Sequence, residues 1–81
     1  MKSKDDIEKI VDKVLTSLVP ASAQDPKNAS REVTPGWSSL IHIEIFFALE
    51  EEFEIRFDED SMAFAESRDD LVESVMTALQ S

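Results

Sequence analysis

Ile7, Ile10, Val11, Val14, Leu15 and Leu18 recur at helical steps, so one apolar stripe runs the length of residues 4–18. Such a stripe must be covered. In a chain of 81 residues without cysteine, no disulfide or thiolate metal site can substitute for a core. The chain therefore folds by laying helical faces against one another. Ser3 followed by Asp6 starts this first helix as a capping box, and Pro20 stops it.

Three further helices follow from the same reasoning. Pro35-Gly36 makes a turn, Ser38 caps, and a helix runs over residues 38–53. At 100° per residue it carries two apolar stripes. Ile45, Phe46, Leu49 and Phe53 form the first; Leu40, Ile43 and Phe47, flanked by Glu44, Glu50 and Glu51, form the second. One stripe suffices for a core, so the second meets another element or a partner. Glu54 to Phe57 alternates like a strand but has no strand to pair with, and reads as loop. Asp58 caps a short helix over residues 59–65, with Met62 and either Phe64 or Ala65 turned inward. Ser67 with Asp70 opens a last helix over residues 68–79, its inner face Leu71, Val72, Val75, Met76 and Leu79. Residues 19–37, with Pro20, Pro26 and Pro35, form a long first loop anchored by Val33 and Trp37. The expected architecture is one all-α domain over residues 1–81, a four-helix bundle with three longer helices and one short third helix.

Charge narrows the function. The formal net charge is -10, and the lysines and acids of residues 1–27 cancel. The whole excess thus lies in residues 28–81, where three arginines face thirteen acids. Such a field repels nucleic acid and anionic membrane surfaces and speeds encounter with basic partners. The longest apolar run, Ile45 to Leu49, is far short of a membrane span, and the N-terminus has no apolar signal core; the expected location is the cytoplasm.

The second helix also carries a pattern. Gly36-Trp37-Ser38-Ser39-Leu40 is followed at fixed spacing by Ala48-Leu49-Glu50-Glu51-Glu52-Phe53. With Ile55-Arg56-Phe57 and the start Ser67-Arg68-Asp69-Asp70-Leu71, this resembles the acyl carrier protein family over about residues 3–79. The resemblance implies a non-catalytic, monomeric carrier. Ser39 would bear a covalent 4'-phosphopantetheine arm with acyl groups held on it as thioesters. It also implies docking of a phosphopantetheinyl transferase and of acyl-chain enzymes with basic patches, from fatty-acid, polyketide or specialised-lipid synthesis. Leu40, Ile43, Glu44, Phe47, Glu50 and Glu51 are the docking residues by position. A bundle lined by Ile45, Leu49, Phe53, Phe57 and Leu71 would shelter an apolar cargo. An aminoacyl carrier and a docking scaffold that has lost the carrier role are the alternatives.

Two positions depart from the family pattern. Ser38 stands where the family has aspartate; it still caps the helix but withdraws a negative charge beside the attachment serine. The leucine after Ser39 and the downstream spacing set the register between the two serines. Arg68 stands where an apolar residue is usual, and its stem is expected over the core with the charged head in water.

Other chemistry is weakly supported. Ser39 and His42 at i, i+3 lack an orienting acid or oxyanion loop, so a hydrolase reading fails; His42 is expected at the helix edge, steadying Trp37 or the loop. Asp58-Glu59-Asp60 lacks the glycine and ligand spacing of a calcium loop, and no metal site is expected.

Overall fold

The computed structural model describes residues 3–80. Its order is α1 (Lys4–Leu18), α2 (Ser39–Phe53), α3 (Glu59–Phe64) and α4 (Arg68–Gln80), with no strand among the described residues, so the chain is all-α. Residues 54–57 are a turn and an irregular segment.

Each helix begins where a side chain satisfies one of its free N–H groups. The Asp6 N–H donates to Ser3 Oγ at 3.2 Å and the Ser3 N–H to Asp6 Oδ2 at 3.4 Å, a reciprocal box that also sets acids at the positive end of the helix dipole. Ser38 Oγ accepts from the Ile41 N–H at 3.2 Å, so Ser38 lies outside α2 as its cap and Ser39 is its first residue. Asp58 Oδ1 accepts from the Ser61 N–H at 2.7 Å, which holds that carboxyl below its ordinary range. Before α4 the box is split: the Asp70 N–H donates to Ser67 Oγ, but the Asp70 carboxylate accepts from the Glu66 N–H.

α1 packs against both α2 and α4. Val11, Leu15, Ile45, Phe46, Leu49, Leu71 and Val75 are wholly buried between them. Each such side chain contributes about 1.5–3 kcal/mol by leaving water. At the helix ends one open choice is settled and one inward assignment fails. Phe64 is 78% exposed while Ala65 is buried, because α3 is short and its last turn points Phe64 outward. Leu79 is 40% exposed in the final turn of α4.

The first loop is more structured than its prolines suggest. Two short 3-10 turns, Pro20–Gln24 and Pro26–Asn28, each begin on a proline that supplies φ and lacks an N–H to lose. Ser22 is buried and donates its hydroxyl to the Val19 carbonyl at 2.7 Å. The loop is then stitched to the segment before α4. The Arg31 N–H donates to the Glu66 carbonyl and the Arg68 N–H to the Ala29 carbonyl, around an antiparallel bridge between Ser30 and Ser67. Val33 is not an anchor. It rides outward on the tight turn closed by the Thr34 N–H on the Ser30 carbonyl, and is 68% exposed. Val19, Ala29 and Trp37 hold the loop instead.

Arg68 also corrects the sequence reading. It is 4% exposed, head included. Its guanidinium turns back onto α1 and clamps Asp12 with two bonds, Nε to Oδ1 at 2.8 Å and Nη2 to Oδ2 at 3.1 Å. Nη1 reaches Glu8 at 3.3 Å and Asp69 at 3.1 Å. The side-chain hydrogen bonds to Asp12 outweigh burial and hold the group firmly charged. The head is thus tied across the α1–α4 seam rather than wet.

Candidate functional site

The loop enters α2 through a short sequence of constraints. Gly36 adopts φ +88°, a left-handed conformation that favours glycine. Trp37 then drops into the core, and Ser38 turns the chain into the helix. Ser39 follows as the first helical residue, exposed, at the end where backbone N–H groups are unpaired and the helix dipole is positive. No acid lies in that first turn. The Ser39 Oγ accepts a hydrogen bond from Arg31 Nη2 at 3.2 Å. Arg31 went unremarked in the sequence because nothing in a proline-rich loop announces where an arginine points.

Below this surface the start of α2 is tied to α3 by hydrogen bonds through a buried imidazole. The Trp37 Nε1–H donates to His42 Nδ1 at 3.0 Å, and His42 Nε2 lies 2.7 Å from the Met62 carbonyl. A tryptophan N–H cannot accept and a carbonyl cannot donate, so the bonds assign the proton to Nε2. His42 is buried, not at the helix edge, and both ring nitrogens are engaged. It is therefore no base for Ser39. Burial is the largest influence on its pKa, which is lowered; the Arg31 charge adds to this and the Met62 carbonyl opposes it.

The aromatic series continues inward. His42 meets Phe46 edge-on with centroids 5.2 Å apart, and Phe46 meets Phe57 edge-on at 4.8 Å. Ile45, Leu49 and Leu71, expected around an apolar cargo, are wholly buried, and Phe53 is 7% exposed. A cleft of about 760 Å³ does open beside Ser39, but its walls are Ser30, Arg31, Glu32, Trp37, Ser38, Glu66, Ser67 and Asp70 rather than that interior.

The second stripe of α2 faces outward. Leu40 is 68%, Ile43 44% and Phe47 57% exposed, so much of this stripe stays in contact with solvent. Glu44 and Glu51 are exposed beside them. Glu50 is half-buried and engaged: its Oε2 accepts from the Phe57 N–H at 2.9 Å, folding the chain back after α2. A shallow cleft bounded by Phe47, Glu50, Glu51 and Arg56 continues the stripe. Among the described residues, no helix is long and apolar enough to cross a membrane. No protein-family model matches the chain, and no curated protein matches it significantly.

Proposed function

We propose that this chain is an acyl carrier protein, a four-helix carrier bundle whose Ser39 is esterified by a 4'-phosphopantetheine arm that holds acyl groups as thioesters. The observation that carries this reading is the position of one hydroxyl. Ser39 Oγ is exposed on the first residue of a 15-residue helix, with a guanidinium 3.2 Å away. These residues fit a phosphodiester. It is an anion, and unpaired N–H groups, a positive helix end and Arg31 all favour negative charge there. The arm supplies the thiol that this chain of no cysteines lacks.

The remaining residues divide the work. Trp37, His42 and Met62 fix the start of α2, and with it the direction in which Ser39 is presented. Leu40, Ile43 and Phe47 offer apolar contacts to the enzymes that load and process the cargo, and Glu44 and Glu51 offer charge to their basic patches. Glu50 stabilises the turn to Phe57 and contributes to that field from its edge. Sheltering a cargo inside the bundle requires the packed Phe46, Phe57 and Leu49 to move apart. The protein itself performs no bond-making chemistry.

The decisive experiment is incubation with a broad-specificity phosphopantetheinyl transferase followed by intact mass spectrometry. One phosphopantetheinyl increment is expected, lost in Ser39→Ala and kept in Ser38→Ala. An unchanged mass, or an increment that survives Ser39→Ala, overturns the reading. Cellular function that tolerates Ser39→Ala but not Phe47→Ala would identify a docking scaffold instead.

A further inference from the structure

We propose that Arg31 is a positioning residue for the phosphodiester on Ser39, neutralising the added charge and holding the base of the arm against the stitched loop. This rests on the carrier reading and deepens it by giving Arg31 the task of holding the diester in place.

Several observations carry it. The guanidinium already touches the atom to be esterified, and the non-bridging phosphate oxygens are two covalent bonds from that atom. Arg31 does not hang from a free loop. Its N–H is bonded to the Glu66 carbonyl at 2.8 Å beside the Ser30–Ser67 bridge, so the side chain starts from a fixed point. The ion pairs of the described residues all belong to Arg68, which leaves the Arg31 charge uncommitted. Its field reaches α2, since it helps lower the pKa of His42. Arginine offers a planar fork of donors suited to two phosphate oxygens at once.

The surroundings make the sign of the effect informative. The cleft beside Ser39 contains Glu32, Glu66 and Asp70, and Arg31 is the one cation among its lining residues. The chain carries a formal charge of -10. Adding another negative charge among these acids increases repulsion, which the positive end of α2 offsets only in part, so a neighbouring cation decides the balance. An exposed arginine that merely grazes a hydroxyl contributes nothing measurable. The two possibilities therefore predict opposite responses to modification.

The test compares melting temperatures before and after loading for the wild type, Arg31→Gln, Arg31→Lys and Arg56→Gln, with loading driven to completion and verified by mass. Arg56→Gln removes the same charge from the far end of α2. Modification is expected to raise the wild-type melting temperature by a few degrees, and less in added salt. The rise should persist in Arg56→Gln, be largely kept by Arg31→Lys, and vanish or reverse in Arg31→Gln. The ³¹P resonance of the diester should shift in Arg31→Gln alone. Full loading with the same increment and the same ³¹P resonance in Arg31→Gln as in wild type overturns the assignment and leaves the carrier reading standing. A wild type that takes no arm on Ser39 overturns both.

Discussion

Arg68 and Arg31 are the same chemical group in the same acidic chain, and their surroundings are opposites. Arg68 sits at the α1–α4 seam, 4% exposed, with three carboxylates around it. Arg31 lies at the α2 end, partly exposed, with a serine hydroxyl as its side-chain partner. One seam consumes its charge to join two helices. The other end leaves charge, hydroxyl and helix dipole available to a ligand. The lesson is that an excess of acid does not decide where a cation is useful; commitment to internal partners does.

The sharpest way to break this comparison is to remove each arginine. Arg68→Ala strips the bidentate clamp and strands Asp12 beside Glu8 and Asp69. Removing one partner of a buried pair costs about 3–5 kcal/mol; because Asp12 and Glu8 are each about 30% exposed and can rehydrate, we expect about 2–4 kcal/mol here. For a domain of this size that lowers the melting temperature by roughly 10 °C or more. Arg31→Gln in the unmodified protein should change stability by less than about 0.5 kcal/mol. Thermal unfolding by circular dichroism reads both. If Arg68→Met melts near wild type, the buried stem rather than the charge holds the seam.

These two arginines also mark where the sequence stops being legible. The α1 stripe, the Ser3 box and Pro20 delimit Lys4–Leu18 because all three signals are local. Ser38 and Ser39 are separated in role by a single cap bond, and the pattern around them gave the helix start to within one residue. The Arg68–Asp12 contact spans 56 residues, and no local rule exposes it. A signal existed: Glu8 and Asp12 stand at i, i+4 beside the apolar stripe, opposite a position where the resembled family is apolar. Val33 misled because hydrophobicity does not fix the direction of a side chain in a tight turn. The 3-10 turns were hidden because a proline reads equally as a breaker and as a first helical residue.

A smaller effect sharpens the contrast between fixed and available groups at the α2 end itself. His42 is held neutral, because protonating Nδ1 would set an N–H against the Trp37 N–H. Its folded pKa lies below the ordinary 6.5, so the unfolded chain binds the proton more readily. The contribution is therefore complete above about pH 6.5 and is lost as pH falls below that value toward the lowered folded pKa. Other carboxylates titrate lower and change the background, so the comparison is with His42→Gln. The stability difference between the two proteins should shrink from pH 7.5 to pH 5.5, and the imidazole resonances of His42 should titrate below 6.5. Titration at or above that value would remove His42 from the fixed set.

An equally small change in stability is expected on the outer face of α2, and it is the most informative about function. Phe47 is 57% exposed, whereas Phe46, one residue earlier, is wholly buried. Phe47→Ser removes a large aromatic side chain, yet it gives up little burial and vacates no core space. Surface substitutions of this kind stay within about 0.5 kcal/mol, so the melting temperature should scarcely move. If Phe47 instead serves a partner, its loss falls on recognition. Loading by the transferase, or acylation by a partner enzyme, should drop on the order of tenfold or more, as for an aromatic anchor in an interface. Pairing the two measurements on one variant separates the alternatives. A destabilised Phe47→Ser would mean that the outer stripe is part of the core after all; a stable variant with unimpaired partner kinetics would mean that the exposed apolar row has another use than docking these enzymes.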